Sequence, residues 1–183
     1  MPAPATPGLR ATFAHHPDAM DLKPALQSQY QAALQMLAAT IEACPDEVWR
    51  DPAYTNATWH VAYHVLYYAD LYLHQRLEDF TPWPGHREGI QKLAKVPGAP
   101  PLEPYAKADI LAYARALLGR APQLIRALDL TAAEAGYPWY HMGKLEHQLV
   151  GLRHLHHHTG QLAERVRERA GKGLTWVQGT PAA

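Results

Sequence analysis

Histidines are concentrated in one short stretch near the carboxyl end of the chain, at His154, His156, His157 and His158. Residues of an α-helix advance by about 100° each, so His154 and His158, four positions apart, project from the same face. Imidazole is the commonest nitrogen ligand for zinc, nickel, copper and iron, and two imidazoles one turn apart can share one ion. The spacing therefore predicts that these two side chains are metal ligands, whereas His156 points nearly the opposite way.

A second pair with the same spacing, His60 and His64, lies in an apolar stretch that also has the pattern of a helix. His64 is central on the predicted inward face, so we expect it to be the third ligand, with His60 as the competing choice or as a supporting residue. Three protein ligands leave positions for water and substrate, which is typical of a catalytic ion. The alternative is that a chain with 12 histidines holds such pairs by chance, in its core and on its surface.

Several residues beside the predicted ligands could support or line the same site. Tyr67 and Tyr68 flank the predicted ligand of the earlier helix, and either phenol could act near the metal, although most aromatic stripes are core. Gln161 could hydrogen-bond a ligand imidazole and fix its tautomer. His147 shares the ligand face two turns earlier and lines the cavity or packs in the core. His157 orients a neighbouring side chain or contacts a partner chain.

The composition narrows the class of protein. A length of 183 residues fits a single domain, and equal numbers of basic and acidic residues, 17 of each, argue against a nucleic-acid binder. Cys44 is the only cysteine, which excludes an intramolecular disulfide and a cysteine-based zinc cluster. No basic segment followed by an apolar run begins the chain, and no stretch approaches about 20 apolar residues. We therefore expect a cytoplasmic protein that does not bind membranes.

The hydrophobic pattern predicts an all-α protein in which the histidines lie on the second and fourth of four long helices. These helices are expected at about residues 22–43, 58–79, 108–128 and 145–170, with residue 105 as the alternative start of the third. Asn56 or Thr58 could cap the second helix, and Pro122 could bend or divide the third. The fold class predicted from this order is a four-helix bundle with a long central crossover loop, whose facing helices would build the metal site.

Two segments fall outside these helices. Residues 1–20 are rich in proline and alanine and lack periodicity, so we expect a flexible N-terminal arm, with residues 21–183 forming a single bundle domain. Residues 80–104 contain many prolines and glycines and form the crossover. Long loops in compact domains are usually functional or disordered, and Trp83 and His86 give this loop side chains that could cover a site.

Taken together, these motifs resemble those of the DinB-like family of metal-binding four-helix bundles. The similarity consists of an inward histidine after the Asn-x-Thr-Trp motif at 56–59 and the motif His-x-x-His-His-x-Gly-Gln-Leu at 154–162, and it covers about residues 22–170. The resemblance implies a divalent ion, often nickel or zinc, held by one histidine of the second helix and two of the fourth. These positions carry over to His64, His154 and His158.

The resemblance also implies a homodimer packed through helices. Its better understood members use low-molecular-weight thiols such as mycothiol or bacillithiol, and they include a maleylpyruvate isomerase. We therefore expect a metal-dependent enzyme, a thiol-dependent S-transferase or a hydrolase, that acts on a small molecule. Nickel or zinc is the expected ion, and iron or manganese would also suit the site. The alternative is a non-catalytic metal-binding or stress-response protein.

Overall fold

The computed structural model describes residues 21–93, 102–171 and 173–179, and within these residues all regular structure is helical. The helices, in chain order, are α1 (Lys23–Ala43), α2 (Asp46–Trp49), α3 (Thr58–Tyr72), a 3-10 turn (Leu77–Asp79), α4 (Lys107–Ala127) and α5 (Lys144–Ala170). The predicted all-α class is confirmed. The predicted N-terminal arm, residues 1–20, lies outside the described residues. None of the described helices is long and apolar enough to cross a membrane.

The four longer helices form a bundle around one main apolar core. Helix α1 packs against α4 and α5, and α3 packs against α5 and α4. Fully buried side chains from all four helices meet in the centre, among them Leu34, Tyr63, Leu117, Leu155 and Leu162. Because α3 and α5 are neighbours, the two helices that carry the paired histidines face each other directly.

Helix α3 ends at Tyr72, so the predicted continuation to about residue 79 is wrong. Carbonyl groups at its end and just beyond it accept hydrogen bonds from side chains of a later part of the chain. Tyr137 Oη donates to the carbonyl oxygens of Leu71 and His74, and Lys144 Nζ donates to that of His74 at 2.6 Å. Such donors satisfy the groups that a helix end leaves unpaired, which allows the chain to turn there.

The start of α3 is held by α5 rather than by a side-chain cap. Ala57 occupies the N-cap position without a side-chain hydrogen bond, so the predicted cap by Asn56 or Thr58 is wrong. Instead, Arg165 donates to the Asn56 carbonyl oxygen at 3.0 Å and to Thr58 Oγ1 at 3.4 Å, and its guanidinium lies 4.1 Å from the centre of the Tyr54 ring. This contact ties the histidine-bearing part of α3 to α5.

Helix α4 continues through Pro122 without being divided. A proline inside a helix removes one backbone hydrogen bond and would ordinarily favour a break. Ala121 and Ile125, on either side of it, are fully buried in the core. Packing therefore keeps the helix in one piece, as tertiary contacts supply most helix stability in proteins.

The described part of the crossover loop packs onto the bundle. The Trp83 ring stacks on that of Tyr113 in α4, with ring centres 5.2 Å apart and planes 9° apart. Ile90 is 8 % exposed and belongs to the main core. The long central crossover that the sequence predicts is thus confirmed, and Trp83 is part of the core packing.

Gly151 allows α5 to approach α1 closely. A Cβ atom at this position would lie 2.5 Å from Tyr30 Oη, which donates to the Gln148 carbonyl oxygen at 2.9 Å. We expect Gly151→Ala to lower the free energy of unfolding by about 1–3 kcal/mol, because overpacking outweighs the higher helix propensity of alanine. Chemical denaturation measures this effect.

The matched control for this prediction is Gly160→Ala in the same helix. No atom lies within 4 Å of a Cβ at Gly160, and the residue is exposed. This change should raise stability by up to about 1 kcal/mol through helix propensity alone. If both substitutions stabilised the protein equally, the close approach at Gly151 would have no energetic consequence.

Candidate metal centre

Three histidines from two helices converge between α3 and α5. His64 comes from α3 and His154 and His158 come from α5, and one ligand nitrogen of each lies within 4.8 Å of the others. Their ring centres are 4.6 to 5.0 Å apart. We call these three residues the histidine cluster. Among the described residues it is the one group of histidine, cysteine or carboxylate side chains that could hold a metal ion.

The hydrogen bonds of two cluster members leave their Nε2 lone pairs available. His64 Nδ1 lies 2.7 Å from the Gln91 carbonyl oxygen, which can only accept, so Nδ1 carries the proton. His158 Nδ1 lies 3.1 Å from Gln161 Oε1 and donates to it in the same way. A neutral imidazole protonated at Nδ1 has its lone pair at Nε2, which is the tautomer that such supporting contacts fix in metal sites. The donor set therefore fits a metal ion.

The spacing of the Nε2 atoms also fits a shared ion. His64 Nε2 and His154 Nε2 are 3.0 Å apart. Two imidazole nitrogens bound to one tetrahedral zinc ion at about 2.0–2.1 Å lie roughly 3.3 Å from each other. Two lone pairs at this distance repel each other unless a proton or a cation lies between them. The distance is that of a hydrogen bond between the two rings, and it is close to the separation that a shared ion in place of the proton would need.

Burial keeps the cluster neutral. Desolvation lowers the pKa of His64 to about 4, although its hydrogen bond to the Gln91 carbonyl acts in the opposite direction. Desolvation and the neighbouring imidazoles lower the pKa of His154 to about 3. The pKa of His158 is also lowered, mainly by burial. Neutral imidazole is the form that binds metals, so the cluster needs no deprotonation at pH 7.

A family model described as the DinB superfamily matches residues 29–162, from α1 to α5 and including the whole histidine cluster. The chain belongs to the DinB superfamily. No curated protein and no solved structure matches it. Members of the DinB superfamily are generally metal-binding, and the histidine cluster of this member could bind a metal. The role of each histidine as a ligand remains a prediction.

In this DinB protein His60 contacts the crossover loop instead of joining the cluster. His60 Nε2 lies 2.7 Å from the Ile90 carbonyl oxygen, and the next carbonyl along the loop, that of Gln91, accepts from His64 Nδ1. Two imidazoles one turn apart on α3 thus bind two consecutive carbonyls. Of the two candidates on this helix, His64 is the one that the fold places beside His154 and His158.

A cavity of about 660 Å³ opens beside the cluster. This volume is within the range typical of small-molecule sites. Its lining combines α3, the crossover loop, the connection from α4 to α5, and α5 itself: His64, Tyr67, Tyr68, Leu71, Tyr72, Leu77, Gln91, Lys92, Trp139, Tyr140 and His154. Two members of the histidine cluster therefore lie in the cavity wall.

Both tyrosines that the sequence singled out line this cavity, in different positions. The Tyr68 ring centre lies 4.8 Å from that of His64 and 5.7 Å from that of His154. The Tyr67 ring faces the crossover loop and contacts Phe80 and His86. Tyr68 is therefore the candidate catalytic phenol that lies against the cluster. Burial raises its pKa, so its hydroxyl group is protonated at neutral pH.

His147 belongs to a satellite core and does not line the cavity. Its side chain is fully buried, and its ring lies 4.8 to 4.9 Å from those of Tyr72, Tyr137 and Tyr140. Burial lowers its pKa to about 4 and keeps it neutral. Of the two alternatives for His147, the structure thus shows the core position.

His157 is exposed, and its ring centre lies 4.8 Å from that of His158. It therefore contacts a member of the histidine cluster from the solvent side and could orient it.

Sequence reasoning missed the loop residues of the cavity wall. The sequence offers Trp83 and His86 as loop side chains that could cover a site, but neither lines the cavity, and Gln91 and Lys92 lie there instead. No local signal marks these two residues, because their place depends on the path of the crossover loop.

Proposed function

We propose that this DinB protein is a divalent-metal-dependent enzyme that acts on a small molecule, as a thiol-dependent S-transferase or a hydrolase. One observation carries the proposal: three neutral imidazoles converge at a cavity of about 660 Å³ that two of them line. A catalytic ion keeps positions open next to space for a substrate, whereas a structural ion is closed by four protein ligands.

The donor set narrows the choice of ion. His64, His154 and His158 offer only nitrogen, and uncharged imidazole suits zinc, nickel and iron better than magnesium or calcium. We propose nickel or zinc as the resident ion, with iron or manganese as the next candidates. Gln91 and Gln161 would orient two of the three imidazoles through their Nδ1 groups, which contributes to affinity.

The residues around the cluster suit the activation of a nucleophile. A divalent ion held there would lower the pKa of a bound water or thiol and supply an anion near neutral pH. The protonated phenol of Tyr68 can donate a hydrogen bond to the oxygen on which negative charge develops in the substrate.

The alternative is a metal-binding or stress-response protein without a reaction. A closed site with a fourth protein ligand would favour it, and His60 was the candidate for that ligand. Because His60 binds the Ile90 carbonyl oxygen, the geometry supports the catalytic proposal.

The test is the metal content of the purified, tag-free protein, measured by plasma mass spectrometry before and after reconstitution. We expect about one ion per chain, bound by the three histidines. The loaded and the metal-free protein should then be compared in thiol-transfer and hydrolysis assays, where only the loaded protein should turn over substrate. Failure to bind nickel, zinc, iron or manganese would refute the proposal, and stoichiometric metal without turnover would favour the alternative.

We further propose that the protein is a cytoplasmic homodimer. The half-exposed Leu149 on α5 gives this helix an apolar side chain that a second chain could cover. The single cysteine, Cys44, is buried and unpaired, which suits a reducing compartment. Sedimentation analysis of the wild type and of Leu149→Asp tests the dimer.

A further inference from the structure

The lining of the cavity beside the histidine cluster is rich in aromatic side chains and contains a cationic side chain. Five of its lining side chains are tyrosine or tryptophan: Tyr67, Tyr68, Tyr72, Trp139 and Tyr140. Lys92 is the one lysine or arginine among its described lining residues, which include no aspartate or glutamate. We propose that the cavity binds a small carboxylate with a flat aromatic or conjugated body. This inference deepens the proposed function and rests on it, because it names the substrate class of the same site.

The charge of the lining selects the sign of the ligand. Lys92 contributes a positive charge at the wall, and an ion in the histidine cluster would add two more. With no carboxylate in the described lining, nothing compensates these charges. A cationic ligand would be repelled and a carboxylate attracted, since complementary potential decides which partners such a site accepts.

The hydroxyl groups of the lining act in the same direction. Tyr72 Oη of α3 and Tyr140 Oη of the connection between α4 and α5 lie 3.2 Å apart. These two sides of the cavity therefore contact each other through a hydrogen bond between phenols. Only one proton of this pair is used between the two phenols, and the phenols of Tyr67 and Tyr68 line the same cavity, so the wall has hydroxyl groups that can donate hydrogen bonds to a ligand. A carboxylate accepts several hydrogen bonds at once, which a neutral or cationic group does less well.

The rings of the lining select the body of the ligand. Tyr68 and Tyr72 present neighbouring rings with centres 5.5 Å apart, and Tyr140 meets Tyr72 at 5.7 Å. Trp139 lines the same cavity and is 49 % exposed. An indole that is half exposed beside a cavity offers apolar area that a flat ring would cover. Aromatic rings pair with each other in stacked or edge-on arrangements, which an aliphatic chain cannot do.

The experiment measures the binding of benzoate, benzamide and acetate to the full chain by isothermal titration calorimetry, with metal-free and with zinc-loaded protein. Benzamide has the ring of benzoate without its charge, and acetate has the charge without the ring. We expect benzoate to bind at least about tenfold more tightly than either, a difference that calorimetry resolves.

Matched variants locate the site. Lys92→Met should lower the affinity for benzoate at least about tenfold and leave the affinity for benzamide unchanged, because only the charge contact is lost. Lys23→Met is its control, since Lys23 lines a different cavity between the ends of α1 and α4. Trp139→Ala should weaken both benzoate and benzamide, while Trp176→Ala, which removes an indole that is 66 % exposed outside the lining, should weaken neither.

The outcomes separate this inference from the proposed function. Equal binding of benzoate and benzamide, equal binding of benzoate and acetate, or an unchanged affinity in Lys92→Met would each overturn the inference. Inorganic phosphate that competes as well as benzoate would show an anion site without ring selectivity and would also overturn it. If the protein binds one zinc ion per chain but no benzoate, the inference about the ligand is overturned and the proposed metal-dependent function is not. Benzoate binding that depends on Lys92 in a chain that takes up no metal supports the ligand class and refutes the metal-dependent function.

Discussion

Replacing His158 with alanine is expected to lower the metal affinity of this DinB protein by more than about 100-fold. Loss of a contact that merely supports a ligand typically costs about 10–100-fold, and loss of the ligand itself costs more. The helical bundle should remain folded, because His158 lies at the edge of the core and its burial as a polar group is itself costly. Metal content after dialysis and the far-ultraviolet circular dichroism spectrum measure the two effects separately.

Two further variants of α5 test this prediction, one with a smaller expected effect and one as a control. Gln161→Ala removes the acceptor of the His158 Nδ1 proton and should lower the metal affinity by about 10–100-fold. His156→Ala, in the same helix but outside the histidine cluster, should leave metal content unchanged. If His158→Ala retained its ion, the ligand assignment would be wrong. A large loss in His156→Ala would mean that α5 faces the site with a different side.

Replacing Lys144 with methionine should destabilise the protein by about 3–5 kcal/mol, more than any other substitution considered above. Lys144 is fully buried at the first position of α5. Its ammonium group donates to the carbonyl oxygens of His74 at 2.6 Å, Gln75 at 2.9 Å and Ala135 at 3.0 Å. Methionine would leave the carbonyls of Gln75 and Ala135 without this donor, while that of His74 keeps Tyr137 Oη, and each unsatisfied group costs about 1–3 kcal/mol. For a chain of this size the melting temperature should fall by about 10 °C.

The control is the same substitution at the first position of α4. Lys107 donates to the Cys44 carbonyl oxygen at 2.9 Å and pairs with Asp46 at 2.7 Å, near the surface. Surface ion pairs contribute at most about 1 kcal/mol, so Lys107→Met should have a small effect. Equal destabilisation by both substitutions would show that the buried position of Lys144 is not what matters. Thermal and urea denaturation of the two variants would decide.

Much of the arrangement followed from the sequence by itself. The four-residue spacing within α5 was enough to place His154 and His158 on one face, because helix geometry is fixed by the backbone. Apolar periodicity gave the four long helices and the position of the crossover between the second and the third. The same reasoning placed His64 at the centre of the inward face of α3. These are local properties, and local geometry is regular enough to be predicted.

Other features depended on contacts between distant parts of the chain. The end of α3 at Tyr72 is set by donors from Tyr137 and Lys144, more than 60 residues later. The choice of His64 over His60 follows from the crossover loop, whose Ile90 carbonyl binds His60. Helical phase alone left both histidines near the inward face, and only the packing of the loop against α3 separated them.

The lining of the cavity likewise depends on contacts that the sequence alone does not reveal. Gln91 and Lys92 are ordinary residues in the sequence, and they become part of the site only because the loop is folded back over α3. The sequence therefore determined which residues could bind a metal, since that depends on residue type and helical spacing. The tertiary structure decided which of them meet and what surrounds them, because a side chain's neighbours are set by the packing of segments far apart in the chain.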